Sequence, residues 1–249
     1  MSATRLLVLG VVRSWGRAHG YQVRRELLSW GVEQWASVKP GSIYHALRQL
    51  LKTGALRTAG VEESGEGPER TMFEITEDGE VEFRRLVSRA LSDAGVKPEF
   101  FGAGLVFMTC LPRGQVVLLL DRRLNELEGE LRSSRSLLAP EVLGHKPAHV
   151  AELFHWWAGS AEASVRFNRE LLERVRSGAY TMADEPGRRS ANPRPRGPNS
   201  TPSVLSRWSD GDSGSGPSGR VRDGTGEVRP GPSRRGVFKF DYRDVVGPG

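Results

Sequence analysis

The sequence predicts a mostly α-helical protein with one small β-hairpin, and three observations support this. Apolar residues recur at helical spacing through most of the first 178 residues. Two short strand-like segments, residues 55–61 and 71–76, flank a polar loop containing Gly65, Gly67 and Pro68, as a hairpin with a long tip requires. From Pro186 onward, 12 Gly, 9 Pro and 9 Ser fall within 64 positions, a composition that supplies little core and predicts a disordered tail.

The first helix follows from Leu6, Leu7, Leu9 and the run 12–15, and it stops in the turn-like stretch 16–20. A second begins after Gly20, with Tyr21, Val23, Leu27, Leu28 and Trp30 apolar, Arg24, Arg25 and Glu26 facing out, and Gly31 as its stop. Lys39-Pro40-Gly41-Ser42 announces the third, because proline suits the first turn, where its missing N–H costs nothing; that helix runs to Gly54. After the hairpin, Thr76 followed by Glu77, Asp78 and Glu80 marks another helix N-terminus, and Phe83, Leu86, Val87, Ala90 and Leu91 form its stripe. Beyond Phe100 the pattern is helical only, over 100–111, 115–138 and 148–175. Leu120, Leu124, Leu127 and Leu131 form one ladder, and Leu153, Trp157, Ala161, Val165 and Leu172 a second. Such ladders pack either within the chain or against a second subunit.

Charge divides at the same place as composition. The tail holds 12 Lys+Arg and 6 Asp+Glu of a total of 36 and 30, which leaves 24 of each sign in residues 1–185, so the formal charge of +6 belongs to the tail. A nucleic-acid partner therefore has to be argued from a local pattern. The single cysteine, Cys110, excludes a disulfide framework and favours the cytoplasm, and the apolar runs are too short for a membrane helix or a secretion signal.

The third helix carries that local pattern. At 100° per residue, Ile43, Leu47, Leu50 and Leu51 share one side, while Gly41, His45, Arg48, Gln49 and Lys52 occupy the other, with Ser42 and Tyr44 between. Residues 34–61 contain no Asp or Glu, whereas Lys39, Arg48, Lys52 and Arg57 are basic. A helix of this kind fits the DNA major groove: Arg48 suits a guanine edge, Ser42, Tyr44, His45 and Gln49 suit groove edges or phosphates, and Lys39 and Lys52 suit phosphates. Three helices, a hairpin and a helix in that order make a winged helix-turn-helix.

Leu6-Leu7-Val8-Leu9-Gly10, His19-Gly20-Tyr21, the run Pro40-Gly41-Ser42-Ile43-Tyr44-His45-Ala46-Leu47-Arg48-Gln49-Leu50, Gly54-Ala55-Leu56 and Ile75-Thr76-Glu77-Asp78-Gly79 together resemble the PadR family of bacterial transcriptional regulators. The resemblance covers about residues 4–90, and the helical stretch to about Ser177 is similar to that family's dimerisation region. It implies a homodimer that reads an inverted repeat in double-stranded DNA, more often as a repressor, and that is released by a small hydrophobic or aromatic effector. The family's wing tip is usually basic. Here it holds Glu62, Glu63, Glu66 and Glu69 with a single Arg70, so only Arg70 carries over as a DNA contact.

Other residue patterns predict less. His145, His149, Glu152 and His155 drift around a helix surface rather than converging, and no metal is expected. Phe100, Phe101, Trp156 and Trp157, with Phe154, are candidates for an apolar effector pocket between subunits, against ordinary packing. Cys110, flanked by apolar residues, lacks the basic surroundings of a reactive thiolate. No nucleophile elbow, phosphate loop or dinucleotide fingerprint is present, so neither an enzyme nor a cofactor is expected. The tail's Arg188, Arg189, Arg194 and Arg196 could add nonspecific DNA affinity, and residues 237–242 alternate like a lone strand.

The sequence thus predicts a winged helix-turn-helix DNA-binding domain at 1–92, a helical dimerisation domain at 98–178 and a basic Gly/Pro/Ser/Arg-rich tail at 186–249. The rival is a protein-interaction module on the same scaffold.

Overall fold

A computed structural model describes residues 2–62, 70–144 and 146–186. The wing tip, His145 and the segment 187–249, on which several of the expectations fall, lie outside the described residues.

The first helix, α1 (Ala3–Trp15), is the hub. Leu6, Leu7, Val8, Leu9, Val11 and Val12 are all at most 1% exposed, so this helix is buried on nearly every side rather than along one stripe. Around it stand α2 (Gly20–Ser29), α4 (Pro40–Lys52), α5 (Glu77–Ser92) and α6 (Pro98–Phe107). Two elements before α4 are absent from the sequence expectation. The stretch 16–20 is not a simple turn, because Arg17–His19 forms strand β1; and Val32–Trp35 forms a one-turn helix, α3. β1 is three residues long and becomes a strand only by pairing with the hairpin, which no local pattern reveals.

The hairpin strands are β2 (Leu56–Glu62) and β3 (Arg70–Ile75), giving an antiparallel sheet in the order β1-β3-β2. The β2–β3 register shifts between Thr58 and Val61, and Gly60 at this irregularity adopts φ 110°, a conformation that glycine tolerates and other residues resist. Thr76 performs the N-capping role its sequence context predicts: its Oγ1 accepts from Gly79 N at 3.1 Å and donates to the Gly54 carbonyl at 2.6 Å, tying α5 to the turn after α4.

A bidentate ion pair joins α1 to α5, with Arg5 Nε and Nη2 donating to Glu82 at 2.6 and 2.8 Å. The hydrogen bond from Arg5 holds the Glu82 carboxyl below the ordinary glutamate range, ahead of the opposing effect of burial. Its contribution is present above the unfolded-state pKa and is lost as pH falls through the folded one. Glu82→Gln should lower stability at neutral pH by on the order of 1 kcal/mol and flatten the acid limb of the stability curve, measured by urea unfolding at pH 3 to 7.

After α6 a 3-10 turn, Met108–Cys110, leads into α7 (Arg113–Ser136), and a short α8 (Pro140–Leu143) precedes α9 (Ala148–Arg176). α7 and α9 pack antiparallel, tied by Asp121–Arg176, Glu128–Arg169 and Arg135–Glu162 ion pairs. Within this pair Asn168, 1% exposed, donates to the Leu120 carbonyl at 2.9 Å. Of the α7 ladder, Leu120 and Leu127 are buried within the chain and Leu124 and Leu131 are half-buried. In the α9 ladder Val165 and Leu172 are buried as the pattern predicts and Trp157 and Ala161 half-buried, whereas Leu153 is 36% exposed and Phe154 and Ala158 are the buried residues of the first half.

The folded part does not stop at the predicted boundary of 178. Residues 179–186 run back along the start of α7, where Met182 is fully buried, Ala183 N donates to the Leu111 carbonyl at 3.3 Å, and Arg113 binds Glu185 at 2.5 Å and the carbonyls of Val175 and Tyr180. Met182→Ala should cost about 2–5 kcal/mol, read as a lower denaturation midpoint with unchanged slope. Among the described residues no helix is long and apolar enough to cross a membrane.

Candidate nucleic-acid interface

The site is built on α4. Pro40 occupies its first position, Ile43, Ala46, Leu47 and Leu50 are buried against α1 and α2, and this packing fixes the rotation of the helix about its own axis. Gly41, Tyr44, His45, Arg48, Gln49 and Lys52 are thereby exposed, as is Lys39 at the N-cap. Ser42 is half-buried, and its hydroxyl donates to the Lys39 carbonyl at 2.6 Å, so its proton is engaged in the helix start.

Two further elements border the helix. Gly20, at the N-terminus of α2, packs on the Tyr44 ring; a Cβ there would lie 3.0 Å from Tyr44 Cε1, so a larger residue would have to displace that ring slightly. His19 caps α2 with a reciprocal pair: its Nδ1 accepts from Gln22 N at 3.3 Å and its own N donates to Gln22 Oε1 at 2.9 Å. β3 supplies the other border. Together these elements enclose a cleft of about 640 Å³ lined by Tyr21, Tyr44, Leu47, Arg48, Arg70 and Phe73.

Of the residues expected to touch DNA, the structure brings Tyr44, Arg48 and Arg70 into this cleft and leaves Lys39, His45, Gln49 and Lys52 on the exposed face beside it. It adds one residue that the sequence did not single out. Tyr21, counted among the apolar residues of its helix, is 55% exposed, stacks at 6.2 Å on His19 and faces the cleft, because α2 buries only Val23 and Leu27. Helical spacing could have flagged it, since Tyr21 lies two residues before Val23 and hence on another face.

Tertiary structure also trims the positive patch. Arg57 donates to Glu74 of β3 at 3.2 Å, and Arg17 approaches the same carboxylate at 3.8 Å, so the acid-free segment does not keep all its charge. Among the described residues no ion pair involves Lys39, Arg48 or Lys52.

The aromatic candidates lie apart within one subunit. Phe100 is 4% exposed in the core, and Phe101 sits under the Arg123 guanidinium at 4.0 Å and edge-on to Phe167 at 6.2 Å. Trp157 meets Phe154 at 5.5 Å, and Trp156 is 66% exposed. Phe167 follows Trp157 by ten positions on α9, about 15 Å along the helix. Cys110 also differs from expectation: Arg13 Nη1 lies 3.7 Å from its Sγ, a cation brought from α1 that its sequence neighbours do not reveal. Among the described residues no cluster of His, Cys, Asp and Glu is arranged to hold a metal.

Residues 8–85 match the sequence profile of the transcriptional regulator PadR-like family. Among solved structures, the chain is similar to Bacillus subtilis PadR in complex with operator DNA, at 18% identity over 69% of this chain and 98% of that one, with a TM-score of 0.32. It is also similar to smu.1604c from Streptococcus mutans UA159, at 20% identity over 70% and 99% with a TM-score of 0.32. The PadR-like transcriptional regulator BC1756 from Bacillus cereus is 19% identical over 69% and 94%, with a TM-score of 0.30. No curated protein matches the sequence.

Proposed function

We propose that the chain, whose residues 8–85 match the PadR-like family of transcriptional regulators, is a homodimeric, sequence-specific DNA-binding regulator, acting as a repressor on an inverted-repeat operator. The observation that carries this is the outer face of α4: Lys39, Arg48 and Lys52 stand exposed and outside every ion pair of the described residues, on a helix whose opposite side is locked into the core. Arg48 reads a base edge from the major groove, His45, Gln49 and Ser42 line the same groove, and Lys39, Lys52, Tyr44 and Arg70 position the backbone. Tyr21 joins the backbone contacts from the N-terminus of α2.

In this proposal residues 1–92 bind DNA and 98–178 dimerise. α9 supports the second assignment. Arg135, near the end of α7, is paired with Glu162, so the first 14 residues of α9 run on for about 20 Å beyond α7. That overhang leaves Leu153 and Trp156 exposed, and Phe167 follows on the paired part at 42% exposure, an apolar face suited to a second copy. Sedimentation equilibrium should give twice 27.4 kDa at micromolar concentration, and Trp156→Asp should shift the protein towards monomer. Release by a small hydrophobic effector belongs to the proposal through the family; in a dimer, Phe100, Phe101, Trp156 and Trp157 line its site only if the partner's α9 closes the gap between them.

Fluorescence anisotropy with the DNA upstream of the protein's own gene and a scrambled duplex of equal length tests the DNA reading. A regulator should prefer its site by about a thousandfold or more, and lose affinity steeply as salt rises. Weak and equal binding to every duplex in a genomic selection would leave a protein-binding role for the same face.

A further inference from the structure

A second cavity, about 430 Å³, lies between the start of α1, the segment Ala36 and Ser37 that leads into α4, and the connection from α5 to α6. None of its lining residues belongs to the α4 cleft. Its volume is within the range of roughly 300–1,000 Å³ typical of small-molecule sites.

Two carboxylates line it, and they differ in one respect. Asp93 is satisfied: its Oδ1 accepts from Gly95 N at 3.0 Å and its Oδ2 from Arg89 Nε at 3.4 Å. Glu99, in the first turn of α6, has Oε2 buried with no hydrogen-bond partner. A carboxylate oxygen turned away from solvent and without a donor in the chain leaves an acceptor open to a donor from outside it. Val96 and Phe100 supply an apolar wall beside it, and Lys97 a cation on the same rim.

We propose that this cavity binds a small protonated amine, its ammonium donating to Glu99 Oε2 and its carbon skeleton lying on Val96 and Phe100. An ammonium donates a charge-assisted hydrogen bond to a carboxylate, roughly twice as strong as a neutral one. Lys97 suits a carboxylate next to that ammonium, so a free amino acid and a simple amine are two sources of the same chemistry. Ser37, which lines the opposite wall at φ 51°, is two residues from the N-cap of α4, so an occupant touches the segment that sets the entry of that helix. The proposal does not rest on the DNA-binding reading.

Isothermal titration calorimetry of the full chain, without DNA, tests it with leucine and phenylalanine, their decarboxylated amines isoamylamine and phenethylamine, and the matching acids 4-methylvalerate and 3-phenylpropionate. Binding by at least one ammonium compound, none by the acids, and a loss of about tenfold or more in Glu99→Gln is the expected result. Binding by the amino acids alone identifies the amino-acid source, and binding by the amines as well the simpler one. Absence of heat from all four ammonium compounds, equal binding of the acids, or unchanged affinity in Glu99→Gln would overturn the proposal. A ligand-free measurement gives a second check: with no partner to lose, Glu99→Gln should keep or raise the melting temperature. A marked fall would mean that the chain itself satisfies Glu99 and that the site is not one for an amine.

Discussion

Gly10→Ala should destabilise the protein by about 3 kcal/mol, lowering the melting temperature by roughly 6–12 °C. Gly10 lies in the middle of α1, and a Cβ at that position would sit inside the van der Waals envelope of the Phe107 ring. The ring has little room to yield. It is held edge-on to Phe83 at 5.4 Å and tilted against Trp30 at 6.2 Å, and it reaches α1 from α6 across the connection that the sequence suggested as a domain boundary. The methyl therefore forces α6 away from α1 and α5 instead of only displacing a side chain. Phe107→Leu alone should destabilise by opening a cavity, whereas the double variant should be more stable than the sum of the single losses implies. Strict additivity in that cycle would show that the two residues do not share the close contact described.

Arg48→Ala and Lys52→Ala should both weaken DNA binding, but in different ways. Arg48 lines the cleft beside Tyr44 and projects from the middle of α4, where a helix seated in the major groove meets base edges. Its loss should cost about 1–3 kcal/mol and relax the preference at one base pair of each half-site. Lys52 ends the helix and is exposed, a position that reaches a phosphate; its loss should weaken binding almost uniformly over sequences and reduce the salt slope by about one unit. Anisotropy at three salt concentrations with single-base variants of the operator separates the two. Unchanged affinity in both variants at physiological salt would remove α4 from the DNA face and leave the protein-interaction role as the better account.

Much of this was legible in the chain itself. The caps were explicit: Pro40 starts α4 and Thr76 caps α5, because these depend on residues within a turn of one another. The orientation of α4 was legible for the same reason, since a 3.6-residue period separates Ile43 and Leu47 from Arg48 and Lys52 whatever the helix packs on. Where the signal was non-local, the sequence was silent or misleading. β1 exists only through its register with β3, and Arg57 looked free until β3 brought Glu74 to it.

By itself, then, the sequence determined the long helices, the hairpin strands and which side of α4 is basic, because periodicity and capping act over a few residues. Only the tertiary structure decided that α6 inserts Phe107 against Gly10, that residues 179–186 are anchored through Met182 and Arg113, that Arg13 stands beside Cys110, and that Tyr21, Tyr44, Arg48 and Arg70 share one cleft. Each of these joins residues distant in the chain. Their proximity comes from burying apolar faces against one another, and no local pattern encodes which faces will meet.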